Sequence, residues 1–126
     1  MGTYRDLTVY KKAFQLAMDI FQETKKFPSD EKYGMISQIR RSSRSVCSNL
    51  GEGYRKRQYG AHFVSKISDD DMENTETQVW LDFSLSCKYV SDKTYQNFIG
   101  KSEEVGRMLN HMIENPQKYE SKKTVF

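Results

Sequence analysis

Apolar residues recur at three- and four-residue spacing along almost the whole chain, and only two prolines, Pro28 and Pro116, interrupt the pattern. A stripe of this kind marks an amphipathic helix, which must bury its apolar face against another element. The two prolines fall where the periodicity breaks, so they end helices and do not kink them. The spacing predicts four helices. The first covers residues 8–26, with Val9, Ala13, Leu16, Ala17, Ile20, Phe21 and Thr24 on one face. The second covers 30–53, capped by Ser29 or Asp30, with Ile36, Ile39, Ser43, Val46, Cys47 and Leu50 inward and Gly51-Glu52-Gly53 loosening its end. The third covers 61–90, with Met72, Val79, Trp80, Phe83, Cys87 and Val90 on its inner face. The fourth follows Ser91-Asp92 and ends at Asn115-Pro116, on a stripe of Tyr95, Phe98, Ile99, Ser102, Val105, Leu109, Met112 and Ile113.

Short links between such helices favour antiparallel neighbours. The expected fold is all-α: an antiparallel up-down-up-down four-helix bundle in one domain over 1–126, ordered over about 6–116, with a polar, basic tail at 117–126. Residues 54–60 are expected as a loop or a frayed continuation of the second helix. A chain of 126 residues buries enough surface to fold without a disulfide or a metal. Cys47 and Cys87 are therefore expected as reduced core residues of a cytoplasmic protein. No apolar run approaches the roughly 18 residues of a membrane span, and the start of the chain has no apolar signal core. Gly2 offers a weak myristoylation-like context.

A net charge of +3 permits an anionic partner without requiring one. The distribution says more. Arg40, Arg44 and Arg55 lie within about 60° of each other around the second helix, with Arg41 beside them. They are followed by Tyr54-Arg55-Lys56-Arg57-Gln58-Tyr59. Cations bracketed by tyrosines suit phosphate contacts and base stacking. The same arginines also suit ion pairing with a neighbouring helix or a second chain, or a solvated face. Glu76 shares the predicted inner face of the third helix, so it is expected to be mostly buried in a salt bridge to Arg40, Arg41 or Arg44, with a loss of about 3–5 kcal/mol on removal. Asp69-Asp70-Asp71 with Glu73 fan around the helix axis and read as a solvated or interface face. Tyr10, Phe14, Tyr89 and Tyr95 fall at stripe edges, where aromatics mark packing between chains.

Catalytic patterns are missing. The sequence holds no glycine-rich phosphate loop, GxSxG elbow, HExxH or CxxC, and neither histidine completes a Glu-x-x-His pair. The residues therefore point away from an enzyme, a cofactor or a metal. A small bundle enzyme using the third-helix carboxylates and a metal stands far behind.

Several segments taken in order carry a resemblance. They are Asp6-Leu7-Thr8-Val9-Tyr10-Lys11-Lys12-Ala13; Phe27-Pro28 with Glu31 and Tyr33-Gly34-Met35; Gln38-Ile39-Arg40-Arg41 with Ser45-Val46 and Ser48-Asn49-Leu50-Gly51-Glu52-Gly53; and Glu76-Thr77-Gln78. Over about residues 4–119 the chain resembles the small bacterial four-helix bundle proteins encoded within intervening sequences of 23S ribosomal RNA genes. It departs where that family usually has alanine at Gly51, Gly-Ser at Asp70-Asp71 and Glu-Leu at Asn74-Thr75, which bears on the third-helix contacts. The resemblance implies a homo-oligomer, with a pentamer favoured, and no enzyme. A relative of similar fold, the accessory variability determinant of diversity-generating retroelements, binds a reverse transcriptase and nucleic acid. The expected function is an oligomeric bundle that binds RNA, or an RNA-bearing protein, through Arg40, Arg41, Arg44, Arg55, Lys56 and Arg57, with Tyr54 and Tyr59 stacking. The alternative is a protein scaffold or reverse-transcriptase accessory subunit without direct RNA contact.

Overall fold

In the computed structural model, which describes residues 2–120, the chain folds into four helices: α1 (Thr8–Thr24), α2 (Met35–Arg55), α3 (Gly60–Ser86) and α4 (Asp92–Glu114). Each packs on its neighbours in the order α1, α2, α3, α4 and back to α1, so α1 and α3 lie diagonally across the bundle. No strand occurs among the described residues, and no helix among them is long and apolar enough to cross a membrane.

Local chemistry sets the ends. A 3-10 turn at Tyr4–Asp6 precedes α1. There the Thr3 hydroxyl accepts the Arg5 N–H and the Asp6 carboxylate accepts the Thr3 N–H, closing a capping box. After Pro28 the chain makes a second 3-10 turn, Ser29–Glu31, and α2 starts only at Met35, five residues later than the spacing suggested. The Glu31 side chain explains the delay. It reaches forward to accept the Met35 N–H at 3.2 Å, so it caps a later first turn. At its other end α2 continues through Gly51-Glu52-Gly53 to Arg55, and the link to α3 shrinks to residues 56–59. Gly53 is buried against α3, where a Cβ would stand 2.9 Å from Ile67 Cδ1; close helix approach, not flexibility, is its role. α3 stops at Ser86, not at Val90, because Lys88 takes the left-handed conformation (φ 61°) and turns the chain. Val90 then packs with Phe27, Met35 and Ile36. Ser91 caps α4 by accepting the Thr94 N–H. Beyond α4, Pro116–Lys118 forms a 3-10 turn and Tyr119 stacks on Phe63, so packing runs past residue 116; the rest of the expected tail, 121–126, lies outside the described residues.

α3 differs from its sequence reading in rotation. The face it buries is Phe63, Ile67, Asp70, Asn74, Thr77, Leu81 and Ser84. Met72, Val79 and Phe83 are exposed instead, at 70%, 43% and 52%, and Cys87 is exposed too. At about 100° per residue the two stripes lie about 180° apart. Buried polar residues make up much of the true inner face because they find partners across the bundle. Thr77 Oγ1 and Ser42 Oγ share a hydrogen bond of 2.8 Å, Asn74 and Ser102 exchange two of 2.9 Å, and Ser84 Oγ donates to Met35 Sδ of α2 at 3.2 Å. These pairs form a polar layer. On one side of it lies the apolar cluster of Val46, Leu50, Phe63, Ile67 and Leu109, and on the other that of Leu16, Ile20, Ile39, Leu81 and Phe98. Asp70 sits among these residues fully buried, and neither carboxyl oxygen has a hydrogen-bond partner. The acidic run is thus not one solvated face: Asp69 is exposed, Asp71 and Glu73 are half-buried and Asp70 is in the core.

Candidate nucleic-acid interface

A groove of about 580 Å³ runs between α1 and α2 on the side of the bundle away from α3. Tyr4, Tyr10, Phe14, Ala17 and Met18 form its apolar wall; Arg44, Cys47, Ser48, Gly51, Glu52 and Arg55 form the other. The α1 stripe explains the first wall. Val9, Ala13, Leu16, Ala17 and Ile20 turn inward, which leaves Tyr10, Phe14 and Met18 at its edge, with Phe14 49% and Met18 41% exposed. Tyr4, delivered by the capped 3-10 turn, meets Tyr10 edge to face at 5.0 Å, and Tyr10 meets Phe14 at 6.0 Å. On α2 the spacing of Arg44, Cys47, Ser48, Gly51 and Arg55 places all five on one face. Gly51 keeps the floor low; a Cβ there would touch the Tyr4 ring at 3.7 Å.

The cations along this edge are not neutralised by the protein. Among the described residues Arg44 and Arg55 form no ion pair, and Glu52 on the rim is engaged by Lys66 at 2.7 Å. Arg40 continues the row. Its guanidinium lies 4.7 Å over the Phe21 ring and donates to Thr24 Oγ1 at 2.9 Å. Arg44 approaches the same ring at 5.6 Å and Lys25 at 4.7 Å, while Arg5 lies over Tyr4. Burial first, and then repulsion from Arg44, holds Arg40 below its usual pKa. At the floor, burial pushes the Cys47 thiol up to about 12, so it is a neutral thiol at ordinary pH. Cys47 is half-buried and Cys87 is on the surface, so neither is the core residue the stripes suggested.

The residues singled out from the sequence therefore divide. Arg40, Arg44 and Arg55 come together along the groove. Arg41 turns the other way and is shared by Glu73 and Glu76 of α3. Arg57 folds back on its own turn, donating to the Tyr54 carbonyl at 2.9 Å and covering the Tyr54 ring at 4.0 Å. Lys56 and Tyr59 stand exposed on the α2–α3 link, with Tyr59 edge-on to His62. Tyr4, Tyr10, Phe14 and Met18 were missed as site residues. The edge position of Tyr10 and Phe14 was the only signal, and it pointed to a contact between chains.

Glu76 does pair with an arginine of α2, but not in the core: its side chain is 36% exposed and that of Arg41 is 44% exposed. The Trp80 indole N–H and then the Arg41 guanidinium hold the Glu76 carboxyl below its usual pKa. Because solvent screens this pair, Glu76→Ala should lower stability by only about 1 kcal/mol, not the 3–5 kcal/mol of a buried pair. Urea unfolding of both proteins measures this, and a loss above about 3 kcal/mol would contradict the exposed geometry.

Residues 5–111 match the family model described as 23S rRNA-intervening sequence protein. Among solved structures the chain is similar to a protein of unknown function from the S23 ribosomal protein family of Bacteroides thetaiotaomicron. The identity is 26% and the TM-score 0.75, over 84% of this chain and 95% of that one. None of the curated proteins matches it.

Proposed function

Because this chain belongs to the 23S rRNA-intervening sequence protein family, we propose that it is a non-catalytic, self-associating bundle of the bacterial cytoplasm that binds RNA through the α1/α2 groove. The observation that carries this reading is the row of Arg44 and Arg55, without carboxylate partners, facing exposed aromatic rings. Arginines left without carboxylates make one edge of the groove positive, and a positive edge attracts an anion. Phosphates bind there with release of counterions, and the aromatic wall adds affinity that salt does not screen. Of the residues expected from the sequence, Arg44 and Arg55 carry phosphate contacts, Arg40 and Lys56 flank them, and Arg41, Arg57 and Tyr54 are occupied within the fold.

Self-association is supported by a different surface. Met72, Val79 and Phe83 make a second apolar stripe on α3, facing away from the core.

The test is anisotropy of labelled RNA at several salt concentrations. Parent affinity should fall steeply with salt. Arg44→Gln with Arg55→Gln should flatten the slope by about 1.5 units, roughly 0.7–0.9 per lost phosphate contact, with helical content unchanged. Arg57→Gln should leave the slope as it is, because that side chain is held against Tyr54. No binding by the parent at low salt, or equal slopes for parent and double variant, would leave the scaffold reading in front.

A further inference from the structure

We infer that the α1/α2 groove takes unpaired nucleotides, with a base lying against Phe14 and phosphates further along the same strand, about five nucleotides apart, on Arg44 and Arg55. This rests on the RNA reading above and goes further, because it excludes duplex as the preferred form.

The argument starts from where the apolar surface is. Phe14 is half exposed, and Tyr4, Tyr10 and Met18 continue its wall inside a recess of about 580 Å³. A duplex presents phosphates and sugars to such a wall and keeps the faces of its bases stacked inside. The rings would then sit against charged backbone and gain nothing from it. An unpaired base has a free face, and a recess of this size lies within the range of small-molecule pockets. Arg44 and Arg55 are eleven residues apart, about 16 Å along α2. At roughly 3.4 Å per stacked nucleotide that distance spans about five nucleotides, within the range of known single-strand platforms.

The competing occupant is the outer α3 stripe of a second copy, Met72, Val79 and Phe83, flanked by Asp69, Asp82 and the Glu73 and Glu76 pair that shares Arg41. That stripe offers one exposed ring, Phe83, and its carboxylates are set by the turns of a helix, not paired one to each ring. A polynucleotide brings one charge per residue together with a flat apolar ring, and the groove offers both complements side by side. Its polar lining is sparse, with Ser48 the only uncharged hydroxyl among the α2 residues, so stacking and phosphate contacts dominate and sequence preference is weak.

The test compares three labelled RNAs of one length, about ten nucleotides: a single strand, the same strand in a blunt duplex, and an abasic backbone. Each is titrated against the parent, Phe14→Ala and Phe14→Trp. The single strand should bind the parent at least about tenfold more tightly than the duplex or the abasic strand, and Phe14→Ala should remove about tenfold of single-strand affinity, within the range for one stacked base. Phe14→Trp should keep that affinity, with tryptophan fluorescence quenched by the single strand beyond any change of Trp80 in the parent. Duplex or abasic RNA binding as tightly as the single strand, still dependent on Arg44 and Arg55, would overturn this inference and leave the RNA reading intact. Failure of all three RNAs to bind at low salt would overturn both.

Discussion

The stability of this protein should fall as the pH rises from about 5 to 9, and Asp70→Asn should remove most of that fall. Asp70 is fully buried with both oxygens unpartnered. Burial first, then Asp71 and Glu73, raises its pKa from the usual 3.8 to about 9. Lys66 opposes this, but its ammonium is engaged by Glu52. From α2, Cys47 lies close enough to interact with Asp70, and burial keeps it neutral to about 12. Across this window the folded state holds a proton on Asp70 that the unfolded state has released. The unfolded state binds fewer protons, so unfolding becomes easier by about 1.4 kcal/mol per pH unit. The contribution is complete below about pH 4 and is lost progressively as the pH approaches 9. Glu76 works in the opposite sense. Its pKa is depressed, so its contribution is present above the ordinary carboxylate range and lost as the pH falls. The two together place maximum stability on the acid side of neutrality.

Thermal midpoints at half-unit pH intervals measure this. The parent should lose roughly 4 °C per pH unit on the alkaline side, and Asp70→Asn should be nearly flat and more stable than the parent at pH 8. The asparagine remains without hydrogen-bond partners, so its advantage at pH 5 should vanish. A parent whose midpoint is constant between pH 5 and 8.5 would show that Asp70 is already ionised or solvated in the folded state.

A second large effect is expected in assembly. The outer stripe of α3 repeats Met72, Val79 and Phe83 at helical spacing, yet all three stay exposed, with Phe83 meeting Trp80 of the same helix. One helix apolar on two opposite sides needs two partners, and the bundle supplies one. Light scattering at micromolar concentration should therefore give a multiple of 14.8 kDa, with five copies favoured by the family resemblance. Val79→Asp with Phe83→Asp should reduce the mass to that of one chain while helical content is kept, since both side chains point away from the core. A parent that scatters as a single chain would end the self-association proposal. An assembled parent whose double variant stays assembled would place the contact elsewhere, with the α1/α2 groove next in line.

The helix count, the two proline-marked breaks and the inward faces of α1 and α4 follow from sequence, because their apolar residues repeat on one side only and one side is all a surface helix buries. The delayed start of α2 needed the Glu31 side chain to be seen on the Met35 amide, a contact that local spacing permits but does not require. The rotation of α3 was decided by tertiary structure alone. Two stripes at helical spacing lie on its opposite sides, and the more apolar one faces out. The inner stripe is tolerated because Ser42 of α2 and Ser102 of α4 meet Thr77 and Asn74, partners 35 and 28 residues away in sequence. No periodicity within α3 carries that information. The division of the arginines has the same origin. Arg40, Arg41 and Arg44 look alike in sequence, but turns of about 60–100° around α2 separate the residue that meets the carboxylates of α3 from those that meet the rings of α1. That difference decides which of these cations are left without a carboxylate partner, and it exists only once the helices are packed.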